Sequence, residues 1–331
     1  MTTLLHEEYR KLVPGVSTVY VFPKIKSSSL YNPYLTELYK DFLSAEKPAI
    51  ACISPHPLAP VFIIKKLFGE KSIVHYHWLE FDNLKGLCVV IWKLLLLIIY
   101  KTFGGAIIWT IHDEAPHANR YLPFNLFFQK ILVLITARFH VHCKTAAEMM
   151  AKKLIIPINR FFIVPHPLYT VTVIEKPAAK EYIRRHLIPQ LAPGEPLFLC
   201  YGFIAAYKQI AEIARRFPEK KGQLVIAGHY KNGEKAYYET LCQEITGRNN
   251  IILYHHFLTP EKERYLCSAA DYFVFNFRRI LTSGSVILGL SYKKPVIVPA
   301  IGCLAELSGP MVFHFDTQEK LGEILREKCS G

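Results

Sequence analysis

Short apolar runs alternate with longer segments of mixed polarity along the whole chain. Ser17–Phe22, Ala49–Ser54, Ser72–His75, Ala106–Ile111, Phe139–His142 and Phe161–Val164 are rich in Val, Ile and Phe, as strands buried on both faces are. Between them, Asn32–Ala45 (with Pro33 at a favourable first position), Pro60–Phe68, Leu87–Tyr100, Phe124–Phe139 and Lys144–Lys153 read as helices. Residues 168–195 contain Pro177, Pro189 and Pro193 and read as a linker with one short helix, Lys180–His186. A second set follows. Its strands are Leu197–Gly202, Gln223–Ala227, Asn250–Tyr254, Asp271–Phe275 and Pro295–Val298. Its helices are Gln209–Phe217, Glu234–Ile245, Pro260–Ser268, Val286–Tyr292 and Thr317–Lys328. This alternation predicts an α/β chain of two doubly wound, Rossmann-like domains with parallel sheets, 1–168 and 169–331. Ligands of such sheets sit outside the carboxyl ends of the strands, so residues just after strands are the candidates for chemistry.

Charge narrows the partners. The 331 residues carry 40 Lys and Arg against 27 Asp and Glu, a net charge of +13. That balance favours nucleic acid, an anionic membrane or phosphorylated small molecules. The basic residues are dispersed and no RRM, KH or zinc-finger pattern occurs, which argues against nucleic acid. None of the eight cysteines forms a CxxC pair, which fits a reducing cytoplasm and no structural zinc. The run Leu87–Tyr100 contains Lys93 and falls short of the roughly 20 residues a spanning helix needs. It is either a buried helix or one lying on a bilayer with Trp92 and Lys93 near the headgroups, and Phe124–Ile135 is a second such run.

Two strand ends in the C-terminal half suit an anion. Arg278 and Arg279 follow the strand Asp271–Phe275, and Thr282, Ser283, Gly284 and Ser285 then open a helix. A helix start with small hydroxyl residues offers free N–H groups and a positive dipole end. Gly202 ends another strand and lets a ligand approach the backbone, with Lys208 six residues on. Two anion sites on one sheet edge suggest a pyrophosphate.

The N-terminal half gathers histidines at strand ends. His75 and His77 precede Trp78, His112-Asp113-Glu114 precedes His117, and His166 lies between two prolines. The spacing of His112 and His117 matches no zinc pattern, so no metal is expected. His56 and His142 read as strand caps or backbone partners. Asp113 directly follows a strand and is the candidate general base, with Glu114 its competitor. His112 would orient substrate or contact a phosphate.

The pieces VFPKIKSSSLYNPY, HYHW, WTIHDEAPH, VHCKTAAE, VPHPLY, YGFIAAYK, VIAG and ILTSGSVILGLSYKKPVIVP, in this order over residues 17–306, resemble the GT-B glycosyltransferases. More narrowly, the chain is similar to bacterial exopolysaccharide enzymes that act on lipid-linked sugars, among them the xanthan mannosyl- and glucuronosyltransferases. The resemblance implies two sheets facing across a cleft. It implies a nucleotide-sugar donor, a GDP- or UDP-sugar, at Gly202, Lys208, Arg278, Thr282, Ser283, Gly284 and Ser285. The acceptor, a polyprenyl-diphosphate-linked saccharide, would meet the N-terminal half at Asn32, His77, Trp78 and His117. Asp113 stands where inverting members carry a base. Many retaining members carry two glutamates eight positions apart; here those places hold Ile280 and Leu288, which favours inversion and leaves Glu306 as a substitute for ribose contact. No DxD motif is present, so the reaction would need neither metal nor cofactor. Together with the basic surplus, this implies a cytoplasmic protein held peripherally at the inner face of the cell membrane. The alternatives are a GT-B-fold nucleotide-sugar epimerase and a non-catalytic partner subunit of a glycosyltransferase.

Overall fold

The computed structural model describes residues 3–26, 33–44, 46, 48–56, 58–79, 81, 83–114, 121–230 and 233–330. The chain divides into two compact units, Met1–His166 and Pro167–Gly331.

The first unit runs α1 (Leu4–Leu12), β1 (Thr18–Phe22), α2 (Tyr34–Leu38), α3 (Lys40–Leu43), β2 (Ala51–Ile53), α4 (Val61–Leu67), β3 (Ser72–Tyr76), α5 (Leu84–Thr102), β4 (Ala106–Thr110), α6 (Leu122–Ile135), β5 (Arg138–Val141), α7 (Lys144–Leu154) and β6 (Phe161–Ile163). Its six strands form one sheet in the order β2-β1-β3-β4-β5-β6, all pairs parallel. β1 and β3 are buried along their whole length, because helices cover both faces of a parallel sheet. The strand order reverses between β1 and β3, which makes the carboxyl ends around β3 the natural binding edge.

Two expectations for this unit change. Leu4–Leu12, to which the sequence pattern assigns no element, forms α1. Thr3 caps it by accepting from His6 N, and Leu5 and Tyr9 anchor it in the core. The single helix expected to Ala45 is broken at Tyr39 into α2 and α3, and Tyr39 is fully buried. The long apolar helix α5 is buried along one face and exposed along another. Val90, Leu94, Leu97 and Tyr100 recur every three or four residues and face the core, while Ile91, Trp92, Leu95 and Ile98 are exposed.

The second unit runs α8 (Lys176–His186), β7 (Leu197–Tyr201), α9 (Ile210–Arg216), β8 (Gln223–Ala227), α10 (Lys235–Glu244), β9 (Ile251–Tyr254), α11 (Pro260–Ala269), β10 (Tyr272–Val274), α12 (Gly284–Ser291), β11 (Val296–Pro299), β12 (Val312–Phe315) and α13 (Gln318–Ser330). Its sheet has the order β12-β11-β10-β7-β8-β9, again all parallel. The reversal falls between β7 and β10. The segment 168–195 is more than a linker. α8 packs on α11 through the stacked pair Tyr182 and Tyr265, 3.6 Å between ring centroids, and its Lys180 lies 3.2 Å from Asp271. The core of this sheet includes Phe198, Leu224, Ile226, Val274 and Ile297, closed on one side by α9 and α13.

Candidate active site

In the second unit, the loops after β7 and β10 flank the reversal of strand order, and their chemistry meets there. Gly202 follows β7 with φ +108°, outside the range side chains prefer. A Cβ on Gly202 would stand 2.8 Å from Lys208 Nζ and 3.0 Å from Ser285 Oγ. The ammonium and the hydroxyl thus converge over a backbone with no side chain of its own. Gly228, which ends β8, packs so tightly on the Gly202 carbonyl that a Cβ there would overlap it. Lys208 sits on a short 3-10 turn, Ala206–Lys208, and is 7% exposed. The loop after β10 is pinned to that turn, since Arg278 N donates to Tyr207 O at 2.8 Å. Arg278 itself is exposed.

Ser283 caps α12 by accepting from Val286 N at 3.4 Å, which leaves Gly284 and Ser285 as the first residues of an eight-residue helix. Thr282 lies in the same loop, half-buried. Glu306 ends the 3-10 turn Gly302–Glu306 and is exposed; the start of that turn is tied to the loop by Cys303 N donating to Leu281 O at 2.7 Å. Gly202, Lys208 and Ser285 are therefore brought together, Arg278, Thr282, Ser283 and Gly284 border them, and Glu306 stands further out on a braced turn.

In the first unit, the ends of β3, β4 and β5 carry a grid of polar side chains. His75 and His77, Thr110 and His112, and His140 and His142 are each two residues apart, so each pair points to the same side of its strand. Thr110 lies directly opposite His140 in the β4–β5 register. His77 Nδ1 is 3.2 Å from His112 Nε2, and His77 Nε2 is 3.0 Å from the Tyr39 hydroxyl. The hydroxyls of Tyr9 and Tyr39 approach His75 Nδ1 at 2.6 and 2.7 Å. Thr110 Oγ1 bridges His75 Nε2 at 2.7 Å and His140 Nδ1 at 2.8 Å. Burial drives the pKa of His75, His77, His112, His140 and His142 well below 6.5, and neighbouring imidazoles push the same way. Trp78 stacks on His112 with centroids 4.3 Å apart.

His112, Asp113, His77 and Trp78 line one hollow, open to solvent, together with Trp109 and Gln129. Glu114, one residue on, is turned to Lys153, which lies 3.1 Å from its carboxylate and also donates to its backbone carbonyl. His142 bonds the Val164 carbonyl through Nδ1 at 2.9 Å, and His56 Nδ1 accepts from Leu58 N at 3.4 Å. Asn32 and His117 lie outside the described residues. Among the described residues, no group of three His, Cys, Asp or Glu side chains is arranged to hold a metal ion.

Tyr39, Thr110 and His140 did not figure among the residues expected at the site. A polar residue two positions before each strand-end histidine, repeated on three strands, is the signal that would have found the grid.

No family model matches the chain. Two curated proteins of Xanthomonas campestris pv. campestris are similar to it, both named GDP-mannose:glycolipid 4-beta-D-mannosyltransferase. One is 22% identical over 302 residues, covering 88% of this chain and 77% of that protein. The other is 22% identical over 288 residues, covering 84% and 73%. Among solved structures, HepE of Anabaena in complex with UDP superposes with a TM-score of 0.63 at 13% identity, covering 94% of this chain and 89% of the other. A glycosyltransferase from Rickettsia africae gives 0.63 at 12% identity, covering 96% and 88%. WaaG, a glycosyltransferase involved in lipopolysaccharide biosynthesis, gives 0.55 at 14%, covering 95% and 90%. The chain has the GT-B fold. The expected pair of parallel α/β sheets is borne out; the second sheet adds an edge strand, β12, to the five expected.

Proposed function

We propose that the protein is a glycosyltransferase that moves a hexose from a nucleoside-diphosphate sugar to a hydroxyl of a lipid-linked saccharide. The observation that carries the reading is the convergence of Lys208 and Ser285 over Gly202 at the strand-order reversal of the second sheet. Fixed positive groups beside the α12 start stabilise the charge that grows on a departing diphosphate. GDP-mannose is the first donor to try, because the two Xanthomonas relatives are named for it. UDP-sugars follow, because HepE was solved with UDP and with UDP-glucose.

The reaction is a single displacement with inversion and without metal. Asp113 takes the proton of the acceptor hydroxyl, the oxygen attacks the anomeric carbon, and the nucleoside diphosphate leaves with the bonding electrons. Leu288, buried within α12, offers no carboxylate where retaining relatives carry one, which supports inversion. With no DxD motif in the sequence, Lys208 and the helix start replace a metal at the diphosphate.

The acceptor is reached from an anionic membrane surface. α5 packs against α4 and α6, and the three helices expose Leu67, Ile91, Leu95, Phe124, Phe127 and Leu134. No helix of the described residues is long and apolar enough to cross a membrane, so these side chains suit a protein lying on one.

The test is calorimetric titration with GDP-mannose and UDP-glucose in EDTA, followed by transfer to a lipid-linked acceptor and analysis of the anomeric product. Binding and transfer of a β-linked sugar from an α-linked donor support the reading. No binding of any nucleoside-diphosphate sugar would remove it.

A further inference from the structure

Nothing in the backbone at Gly284 calls for a glycine. It is the first residue of α12 and its φ is not left-handed, so other residues would suit the helix there, and glycine is a poor helix former. The reason lies beside it. A Cβ on Gly284 would stand 2.8 Å from the hydroxyl of Tyr169.

Tyr169 precedes α8 in the chain and is 9% exposed. Its N–H donates to Ser291 Oγ at 2.9 Å, and Ser291 Oγ donates to Ile287 O at 2.7 Å. Gly284, Leu288 and Ser291 recur at i, i+4 and i+7, so they share one face of α12. Tyr169 is therefore held by the last residue of the helix, and its side chain runs along that face to bring the hydroxyl to the first residue.

That hydroxyl stands where α12 is open to an anion. Cα–Cβ bonds of a helix tilt toward its N-terminus, so a group touching the Gly284 Cβ position is level with the first turn. The first bond of the helix runs from Ile287 N to Ser283 O at 3.1 Å, and Ser283 Oγ accepts from Val286 N. The N–H groups of Gly284 and Ser285 come before both and have no partner among the described residues. Ser285 is turned by about 100° from Gly284 around the axis, and its Oγ converges with Lys208 over Gly202. Lysine and serine thus flank the helix start on one side and tyrosine on another.

We propose that Tyr169 is a further donor-binding residue, whose hydroxyl donates to a phosphate oxygen that also accepts from the Gly284 and Ser285 N–H groups. A phenol has one hydrogen and two lone pairs, so it can donate to phosphate and still accept from the protein. Gly284 is a glycine because a side chain there would push the hydroxyl off its place. The ligand, a nucleoside diphosphate, rests on the glycosyltransferase reading.

The test is calorimetric titration of the full chain with GDP and UDP in EDTA, using whichever binds the wild type. Tyr169→Phe removes only the hydroxyl and should raise Kd about tenfold, as loss of one hydrogen bond to a charged group does. Gly284→Ala displaces the hydroxyl and should do the same; if Tyr169→Phe does not fold, this variant decides. In Tyr169→Phe the nearest atom to the new methyl is ring Cζ, at the ordinary contact distance of 3.9 Å. Adding Gly284→Ala to Tyr169→Phe should therefore raise Kd by less than about twofold more. Penalties that simply add would mean that the glycine makes room for the ligand itself, and would overturn the role given to the hydroxyl. A Tyr169→Phe penalty that vanishes with the 2′-deoxy or 3′-deoxy nucleotide would move the contact to the ribose and overturn the phosphate assignment. A lower Tm with unchanged Kd in both single variants would leave Tyr169 a packing role alone. Unchanged Kd in Tyr169→Phe beside a weakened Lys208→Ala sinks this proposal and leaves the functional reading standing, whereas a wild type that binds no nucleoside diphosphate removes both.

Discussion

The ammonium of Lys208 stands 2.8 Å from where a Cβ on Gly202 would be, so this lysine reaches over a residue that has nothing to put in its way. Gly202→Ala adds a methyl group at that point and at φ +108°, a backbone angle that disfavours any side chain. It should cost about 1–3 kcal/mol of stability and push Lys208 aside. Lys208→Ala removes the charge without touching the backbone. Loss of one charged hydrogen bond, about 1.5–3 kcal/mol, should raise the donor Kd by roughly 10- to 150-fold. Titration calorimetry measures both variants, and an unchanged donor Kd in Lys208→Ala would show that the diphosphate binds elsewhere.

Asp113 and Glu114 are adjacent carboxylates with different surroundings, and this separates their predicted phenotypes. Asp113→Asn keeps the shape of the hollow and removes the base, so transfer should drop by about 10²- to 10⁴-fold with donor affinity nearly intact. Glu114→Gln loses a half-exposed ion pair with Lys153, which is worth about 0–1 kcal/mol, and should transfer sugar at close to the wild-type rate. Steady-state kinetics on the two variants decides between them. A larger loss in Glu114→Gln than in Asp113→Asn would reverse the assignment.

Much of the architecture was readable because strands of a parallel sheet are buried on both faces and stand out as unbroken apolar runs, as in Thr18–Phe22 and Gln223–Ala227. The meeting of Gly202, Lys208 and Ser285 was foreseeable from strand-end position alone, since strand order places the ends of β7 and β10 side by side. Other parts left a fainter trace. α1 buries little more than Leu5, His6 and Tyr9, so its helical period is masked by charged residues. β12 is a half-buried edge strand without a continuous apolar run. The grid behind His112 was hidden for a different reason. A lone His75 or Thr110 inside a strand looks like an isolated polar residue, and its partners come from neighbouring strands and from Tyr9 and Tyr39 far along the chain. Only pairing the strands shows that each polar residue has a partner.

The exposed side chains of α5 give a prediction about membranes. Ile91 and Leu95 are 49% and 45% exposed and one helical turn apart, on a face turned by about 100° from the buried Val90 and Leu94. Ile91→Glu with Leu95→Glu places two charges on that face without disturbing the core. Sedimentation with phosphatidylglycerol vesicles should fall sharply in the double variant, and in wild type it should weaken with salt. Donor binding in solution should not change. Wild-type protein that stays in the supernatant at low salt would argue that this surface meets something other than lipid.

The five imidazoles of His75, His77, His112, His140 and His142 make a prediction about acid. Each has its pKa lowered well below 6.5 in the folded chain, chiefly by burial, and returns to about 6.5 when unfolded. Above pH 6.5 both states leave these rings neutral, and they add no pH dependence. Below it the unfolded chain takes up protons that the folded chain refuses, so stability falls with pH. Each ring contributes up to about 1.4 kcal/mol per pH unit until its folded pKa is reached. The first unit should therefore lose stability steeply between about pH 6.5 and 5, before most carboxylates titrate. Urea unfolding followed by tryptophan fluorescence at several pH values gives the proton count from the slope, with Trp78, Trp92 and Trp109 all in this unit. An uptake of several protons on unfolding at pH 5.5 is expected. A slope near zero from pH 7 to 5 would mean that the rings are already charged in the folded state, and that charged rings, with hydrogen on both nitrogens, replace the neutral grid behind His112.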